Sequence, residues 1–368
     1  MNRAVVDMPR SGIRRVAEEA QKIPGCISLT LGEPSFDTPL SIREAAKVAL
    51  DAGHTHYPPN VGIPALREQI AKAEQTAAGN VLVTCGSTEA IGCALWGVVE
   101  PGDEVIVPMP AFGLYQQQLQ LIRGVCVPLH TAAHGFQIDP EALARCITPK
   151  TKAIVLNSPN NPTGVTYTRE SIKTVEDACL AHDLFLIFDA VYDRLAYGPG
   201  VPKPTAKRLG DRLITCNAFS KTYAMTGWRV GYCIAEEVVL RHLAKIHAAL
   251  AVGVSTFSQV GCLGIFDVPT DTMLAEYMAH RDLTYARLLE MGMEVVKPDG
   301  AFYAFPSIAK YGLEDDAFVS RLMRERKVAV VPGNCFGTPG FVRVSYCCGR
   351  EALEEGLDRL KDFLHTLA

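Results

Sequence analysis

The chain has 368 residues, 48% of them hydrophobic and 21% charged, so it can bury a large core and form two domains. Its net charge is −4 and no basic block occurs, which argues against nucleic acid as a partner. No apolar secretory segment is visible in residues 1–12, which favours a cytoplasmic protein. The longest uncharged run, residues 248–266, is broken by glycine and polar residues and is predicted to be buried core rather than a membrane span.

The N-terminal quarter of the chain predicts helices joined by ordered loops. Residues 11–23 have helix-forming content, and residues 26–39 are typical of a strand followed by a loop. An amphipathic helix is predicted over residues 41–53, with Ser41 as its N-cap and Gly53 just past its end. A loop rich in proline and glycine follows, and then another helix.

From residue 81 onward, apolar strand-like runs alternate with helical patterns, which predicts an α/β domain with a mainly parallel sheet of about seven strands flanked by helices. After Asp271 a long helical pattern leads into shorter strands, at residues 293–297, 301–306, 327–332 and 341–346, around one helix. A closing helix carries four leucines on one face: Leu353, Leu357, Leu360 and Leu364. We therefore predict a large domain over residues 40–272 and a smaller α+β domain formed by residues 1–39 and 273–368.

Lys221 follows a strand-like run and precedes a turn at Thr226-Gly227. Its amine is a nucleophile only when unprotonated, and a partly desolvated site lowers the pKa so that it can form a Schiff base with an aldehyde. Pyridoxal phosphate is the aldehyde cofactor that proteins hold in this way. The alternative is a solubilising surface charge.

Polar residues follow two other predicted strands, and ligands collect at such carboxyl ends in α/β sheets. Asp189 and Tyr192 end the run at residues 184–192, where a buried carboxylate needs a partner such as a protonated pyridine nitrogen. The string NSPNNPTG, residues 157–164, presents Asn161, whose amide can donate to a phenolate oxygen or meet a substrate carboxylate. A structural ion pair or helix cap for Asp189 and an Asx turn for Asn161 stay open.

The string CGSTEA, residues 85–90, joins a strand to a helix, so its N–H groups and the hydroxyls of Ser87 and Thr88 suit a phosphate. Simple N-capping by Ser87 is an equal alternative. Ser220 and Arg229 flank Lys221, and an arginine can bind phosphate through two parallel hydrogen bonds. Together these donors predict a phosphate site.

Two further residues have both a functional and a structural interpretation. Phe112 follows a predicted strand and could stack on a flat cofactor ring or pack in the core. Arg343 lies in an apolar strand and needs an acid, which is either a structural Asp or Glu or the α-carboxylate of a substrate.

Other catalytic sites are poorly supported. The histidines lack the spacing of a metal site, and neither a nucleophile-elbow motif nor a dinucleotide fingerprint occurs, so no metal is predicted. The twelve cysteines form no Cys-x-x-Cys pair and are interpreted as reduced core residues. Reactivity of Cys85 or of the Cys347-Cys348 pair stays open.

With these residues assembled, the chain resembles the fold type I, class I aminotransferases that use pyridoxal phosphate. The resemblance is strongest to their bacterial subgroup of aspartate and aromatic amino-acid aminotransferases. It runs in order through SGIRRV, LGEPSFDTP, YPPNVGIPALR, NSPNNPTG, FDAVY, FSKTYAMTGWRVGY, DGAFYAFP and FVRVSY. It therefore covers nearly the whole chain.

The resemblance implies a role for each matching residue. It makes Lys221 the Schiff-base lysine and proton shuttle, and Asp189 the partner of the pyridine nitrogen. Asn161 and Tyr192 then meet the phenolic oxygen. The remaining matches are Ser87, Thr88, Ser220 and Arg229 at the phosphate, Phe112 on the ring, and Gly32, Asn161 and Arg343 at the substrate. Tyr57 matches a tyrosine that reaches the phosphate of the neighbouring subunit, which implies a homodimer with shared sites.

The implied reaction is ping-pong transfer of an amino group from an L-amino acid to a 2-oxo acid. Three positions depart from the family pattern. Many relatives have Glu in place of Ala190, and Ala218 lacks a hydroxyl that some relatives direct at the phosphate. The third position is Thr88. Aspartate-specific members often carry a lysine in place of Thr88, which favours aromatic or neutral amino donors here. A carbon–sulfur β-lyase on the same fold is the alternative enzyme, and a cofactor-sensing regulatory module is a remote one.

Overall fold

The computed structural model describes residues 1–198 and 200–367. Its strands are β1 (Ile27–Ser28), β2 (Val81–Thr84), β3 (Glu104–Met109), β4 (Val125–His130), β5 (Thr151–Asn157), β6 (Phe185–Asp189), β7 (Leu213–Ala218), β8 (Gly231–Ile234), β9 (Tyr303–Ala304), β10 (Val328–Ala329), β11 (Val331–Pro332) and β12 (Val342–Ser345). Its α-helices are α1 (Arg3–Val6), α2 (Gly12–Gln21), α3 (Leu40–Asp51), α4 (Pro64–Ala73), α5 (Ser87–Val98), α6 (Leu114–Leu121), α7 (Pro140–Cys146), α8 (Arg169–His182), α9 (Ala206–Leu209), α10 (Glu237–Ala251), α11 (Thr256–Gly261), α12 (Asp271–Glu290), α13 (Asp315–Arg326) and α14 (Arg350–His365).

Seven strands form one central sheet in the order β2-β8-β7-β6-β5-β3-β4. The strands from β7 to β4 pair in parallel, whereas β8 is antiparallel to both of its neighbours. The inner strands are almost entirely buried because helices cover both faces of the sheet. The predicted mainly parallel α/β sheet is thus confirmed.

The parallel register brings polar residues at the carboxyl ends of neighbouring strands side by side. Asn157 at the end of β5 lies opposite Asp189 at the end of β6, and Asp189 in turn lies opposite Cys216 of β7. The chain leaves β7 immediately before Lys221. This edge of the sheet is therefore the place where the predicted site residues converge.

A smaller α+β unit combines the two ends of the chain. Strand β1 pairs in parallel with β10, while β11, β12 and β9 form an antiparallel sheet. The four leucines predicted for one face of α14 are all buried in the core of this unit. The N-terminal and C-terminal segments therefore form this unit together, and the boundaries at residues 39 and 272 stay predictions.

Several local predictions were wrong. Residues 293–297 form no strand, because no strand in the described chain pairs with this segment, although Met293 is buried and Val295 packs against the core. Helix α3 begins at Leu40 after Pro39, so Ser41 lies in the first turn and is not the N-cap. Gly53 does follow that helix, with φ of 79°.

The uncharged run at residues 248–266 divides into the end of α10, the short helix α11 and a 3₁₀ turn. Leu250 and Val252 within it are about half exposed, so the run is only partly buried. Among residues 1–198 and 200–367, no helix is both long and apolar enough to span a membrane. The cytoplasmic location stays a prediction.

The twelve cysteines are all free thiols, as predicted, although only six of them are fully buried. Burial raises the pKa of the Cys85 and Cys348 thiols to about 11, and it also raises the pKa of Cys347. Because the thiolate is the nucleophilic form, these shifts disfavour the reactive-thiol alternative.

Candidate active site

A cavity of about 370 Å³ opens at the carboxyl ends of the parallel strands. All of the predicted site residues except Tyr57 line it: Gly32, Ser87, Thr88, Phe112, Asn161, Asp189, Tyr192, Ser220, Lys221, Arg229 and Arg343. They come from both the large sheet and the smaller unit. The fold thus brings together residues that are as far as about 300 positions apart in the chain.

Asp189 is a buried carboxylate that no cationic side chain contacts directly, although the charge of Lys221 acts on it from within the cavity. It is only 4% exposed, and within residues 1–198 and 200–367 it forms no ion pair. Its oxygens accept hydrogen bonds from the Tyr115 hydroxyl at 2.7 Å and the Val191 N–H at 3.1 Å. Burial raises the pKa of Asp189 to about 6, although both hydrogen bonds oppose that shift. A cationic ligand group would stabilise the ionised carboxylate.

Lys221 extends into the same cavity, where its Nζ donates to the Gly32 carbonyl oxygen at 2.6 Å. Burial, assisted by the nearby guanidinium groups of Arg229 and Arg343, lowers the pKa of its ammonium group to about 8. The unprotonated amine is therefore more readily available near neutral pH than it is for an exposed lysine. Gly32 fits here because a Cβ at that position would lie 2.5 Å from the Tyr303 hydroxyl.

Arg343 is a fully buried arginine that has no carboxylate partner among the described residues. Its side chain is 1% exposed. The guanidinium donates to Asn161 Oδ1 at 2.8 Å and to the Thr30 carbonyl oxygen at 2.5 Å, and it lies 4.4 Å from the centre of the Tyr303 ring. A buried cation that has only neutral partners is suited to an anionic ligand.

Asn161 and Tyr192 are both held in place by neighbouring side chains. Asn157 Oδ1 accepts the Asn161 backbone N–H at 2.8 Å, so the end of β5 fixes the NSPNNPTG loop. The Tyr192 and Tyr303 hydroxyls lie 2.9 Å apart, and either can donate. Asn161 and Tyr192 therefore carry preorganised polar groups on the wall of the cavity.

The start of α5 is the place where an anion site was predicted. Gly86, with φ of 80°, occupies the N-cap position and no side chain caps the helix, so Ser87 is the first helical residue and the N-capping alternative for it is wrong. The free N–H groups of this first turn attract negative charge. Arg229 donates to the Thr226 and Cys85 carbonyl oxygens at 2.8 and 3.1 Å, and has no carboxylate partner in the described chain.

The approach of Arg229 to α5 requires glycine at position 86. A Cβ on Gly86 would lie 2.6 Å from an Arg229 guanidinium nitrogen. Ser220 is buried and also lines the cavity. One anion could thus contact helix N–H groups, hydroxyls and a guanidinium together.

Sequence reasoning missed Tyr115, Asn157, Tyr303 and Thr30, which hold the predicted residues in position. Phe112 lines the cavity as expected, and its ring packs edge-on against Tyr115 at 6.4 Å. The position of Asn157 in the NSPNNPTG string was a usable signal. Nothing in the sequence indicates that Tyr115 bonds a carboxylate 74 residues away.

Tyr57 is the predicted residue that lies elsewhere. Its side chain is 86% exposed and does not line the cavity of its own chain.

Over the described ranges no three His, Cys, Asp or Glu side chains are grouped as metal ligands would be. The polar side chains that line the cavity include lysine, carboxylate, amide and guanidinium groups.

Comparison with known proteins identifies the family. The family model described as aminotransferase class I and II matches residues 24–360. The chain belongs to the class I and II aminotransferases. An aspartate aminotransferase of Pyrococcus horikoshii is 38% identical over 98% of this chain and 96% of its own length. An aromatic-amino-acid aminotransferase of Thermococcus litoralis is also 38% identical, over 96% of this chain and 95% of its own.

Solved structures agree with this aminotransferase assignment. The aspartate aminotransferase of Thermus thermophilus with maleate superimposes with a TM-score of 0.94 at 33% identity, over 99% of both chains. An aromatic aminotransferase from Pyrococcus horikoshii gives a TM-score of 0.90 at 36% identity, over 96% of this chain and 100% of its own. The relatives compared give no support to the lyase alternative.

This aminotransferase is an enzyme of the pyridoxal-phosphate-dependent type. The cavity fits that cofactor on three counts. An anion site lies at the start of α5, a buried carboxylate without a cation lies at Asp189, and a lysine of lowered pKa lies at Lys221. The donor set thus matches a phosphate, a pyridine nitrogen and an aldehyde.

Proposed function

We propose that this enzyme moves the amino group of an L-amino acid, with aromatic or neutral side chains preferred, to a 2-oxo acid in two half-reactions at one site. One observation carries the proposal. Asp189, Lys221 and Arg343 line a single cavity, and among the described residues none of the three has an ion-pair partner. Three unpaired charges that converge in a largely desolvated site imply a ligand that neutralises them.

The residues that would hold pyridoxal phosphate divide into two groups. Asp189 would pair with the ring nitrogen, Phe112 would pack on the ring, and Asn161 and Tyr192 would meet the phenolic oxygen. The phosphate would be bound by four residues at the start of α5 and around the lysine: Ser87, Thr88, Ser220 and Arg229. When bound, the cofactor supplies an electron sink for the charge that develops when the substrate's α-carbon loses a proton.

Lys221 provides the acid–base chemistry. With its pKa lowered to about 8, the amine can accept a proton from the α-carbon and, as ammonium, return one. The Gly32 carbonyl oxygen, 2.6 Å from Nζ, holds the side chain near the cavity wall. Burial of the group excludes competing water, which favours transfer to the substrate.

Arg343 positions the substrate. Its guanidinium can bind the α-carboxylate through two parallel hydrogen bonds, which orients the α-carbon toward Lys221. Asn161 accepts one of its N–H groups at 2.8 Å, so the arginine is preorganised. A cation held in this way loses little conformational entropy when the substrate binds.

The preference among donors rests on the wall of the cavity. Position 88 is a threonine, and Ile13, Leu31, Ile91 and Leu114 add apolar surface. Such a wall favours aromatic or neutral side chains. The test is a screen of the holoenzyme with individual amino acids against 2-oxoglutarate and pyruvate. Aromatic donors are expected to have the highest kcat/KM, and a wide margin for aspartate would contradict the preference.

The position of Tyr115 leads to a prediction about Asp189. In the Tyr115→Phe variant, the Asp189 carboxylate loses its 2.7 Å hydrogen bond, and because that bond lowers its pKa, the pKa rises. We expect kcat to fall about tenfold with little change in KM, and the acid limb of the pH profile to move to higher pH. Stopped-flow half-reactions across pH measure both effects.

The matched control for Tyr115→Phe is Tyr277→Phe. Tyr277 is also buried, but its hydroxyl has no hydrogen-bond partner among the described residues and lies outside the cavity. The control should keep the wild-type pH profile. A profile for Tyr115→Phe that does not move would show that the hydroxyl has only a packing role.

We also propose a homodimer in which Tyr57 of one protomer reaches the phosphate in the partner's site. The exposed Tyr57 ring supports this, since large aromatic side chains are usually packed against protein. Leu40 and Val48 of α3 add exposed apolar surface, at 62% and 66%. Sedimentation equilibrium is expected to give twice the chain mass, and a monomeric holoenzyme would contradict shared sites.

A further inference from the structure

Arg14 is a cation on the cavity wall that the proposed reaction does not yet use. Four cationic side chains line the cavity, of which Lys221, Arg229 and Arg343 have the roles described above. Arg14 lies near the start of α2, is exposed, and forms no ion pair within the described parts of the chain. It is therefore free to bind an anion at the mouth of the cavity.

The adjacent arginine shows how a structural cation behaves on the same helix. Arg15 pairs with Glu19 at 3.6 Å and with Asp316 at 2.7 Å, and it does not line the cavity. Arg14 pairs neither with those acids nor with Glu33, the other carboxylate besides Asp189 on the cavity wall. Only Arg14 of the two thus presents an uncompensated charge to a ligand.

Close packing fixes the start of α2 against the cavity. A Cβ at Gly12 would overlap the Cys335 sulfur, so the first turn of the helix lies directly on the neighbouring segment. The Ser11 hydroxyl accepts the Arg14 backbone N–H at 3.4 Å as the N-cap. The backbone of Arg14 is therefore held in place, although its side chain is exposed.

We propose that Arg14 determines the acceptor class by binding the second carboxylate of a dicarboxylic 2-oxo acid; this inference rests on the proposed aminotransferase function. Arg343 is assigned to the α-carboxylate, so a second carboxylate needs another cation. Thr88 cannot provide it, and Arg14 reaches the same cavity from a different segment. An exposed arginine remains hydrated when a neutral or aromatic donor occupies the site, which costs little free energy.

The test compares Arg14→Ala with Arg15→Ala in the holoenzyme, using 2-oxoglutarate and pyruvate as acceptors with one saturating donor. We expect Arg14→Ala to lower kcat/KM for 2-oxoglutarate by about 10- to 100-fold, because a charge-assisted hydrogen bond to the second carboxylate is lost. The kcat/KM for pyruvate should change less than about twofold, because pyruvate has no second carboxylate. Arg15→Ala should change kcat/KM for neither acceptor. Arg14→Lys should recover part of the loss, because it keeps the charge but not the planar fork.

A binding measurement gives a second readout that is independent of turnover. Calorimetric titration with succinate and with butyrate should show weaker succinate binding in Arg14→Ala and unchanged butyrate binding. The inference would be overturned if Arg14→Ala lost kcat/KM equally for 2-oxoglutarate and pyruvate, or lost it for neither. It would also be overturned if the wild-type enzyme preferred pyruvate to 2-oxoglutarate. If wild-type enzyme transfers no amino group to any 2-oxo acid, the proposed function itself fails, so the two failures are distinguishable. Should Arg14→Ala not fold, Arg14→Gln provides the same comparison.

Discussion

Replacing Lys221 by alanine is expected to abolish amino transfer and the covalent attachment of pyridoxal phosphate. The variant lacks the amine that carries both the nucleophile and the proton shuttle, so turnover should fall by more than about 10⁴-fold. Borohydride reduction followed by mass spectrometry of the denatured chain measures attachment directly. We expect cofactor mass on the wild-type chain and none on the variant.

Two further variants make the Lys221 experiment specific. Lys221→Arg keeps a positive charge but cannot form a Schiff base, so it should be as inactive as Lys221→Ala. Lys47→Ala removes an exposed lysine that pairs with Glu44 at 2.7 Å, and it should retain both activity and attachment. Turnover together with covalent cofactor in Lys221→Ala would show that the assignment of the lysine is wrong.

Replacing Arg343 by lysine is expected to have the second-largest effect. Lysine keeps the charge but loses the two parallel hydrogen bonds to the α-carboxylate, so kcat/KM for amino acids should fall about 100- to 1,000-fold. The same variant should react with an amine that has no carboxylate, such as phenethylamine, at close to the wild-type rate. Single-turnover absorbance changes with phenylalanine and phenethylamine provide this comparison.

A buried arginine outside the cavity is the control for Arg343. Arg281 is 7% exposed and lies over the Tyr197 ring, so Arg281→Lys makes the same chemical change away from the site. It should leave the ratio of the two rates unchanged. If Arg343→Lys slowed both substrates equally, the arginine would be structural rather than a binding residue for the carboxylate.

Local patterns were sufficient for most of the fold. Alternating apolar runs and helical periodicity identified all seven strands of the central sheet, because a buried parallel strand must be apolar on both faces. Errors arose where the local signal was weak. Residues 293–297 are apolar enough for a strand, but pairing requires a neighbouring edge that sequence patterns do not reveal.

In the candidate site, too, some residues could be predicted from local patterns and others depended on tertiary neighbours. Lys221, Asp189 and Asn161 could be selected because each is a polar residue placed where an apolar strand ends. The partners of those residues could not be selected, since Tyr115 and Tyr303 have the spacing of ordinary core aromatics. Arg14 was likewise indistinguishable from Arg15 until the packing of α2 separated a cavity-lining cation from an ion-paired one.

The sequence by itself determined the α/β architecture and the family, and it selected Lys221 as the proposed Schiff-base lysine, because these inferences depend on periodicity and on ordered motifs along the chain. Tertiary structure decided which charges lack partners: Asp189, Arg343 and Arg14. The physical reason is that the state of an ionisable group depends on burial and on neighbours within a few ångströms, which chain folding brings from distant positions.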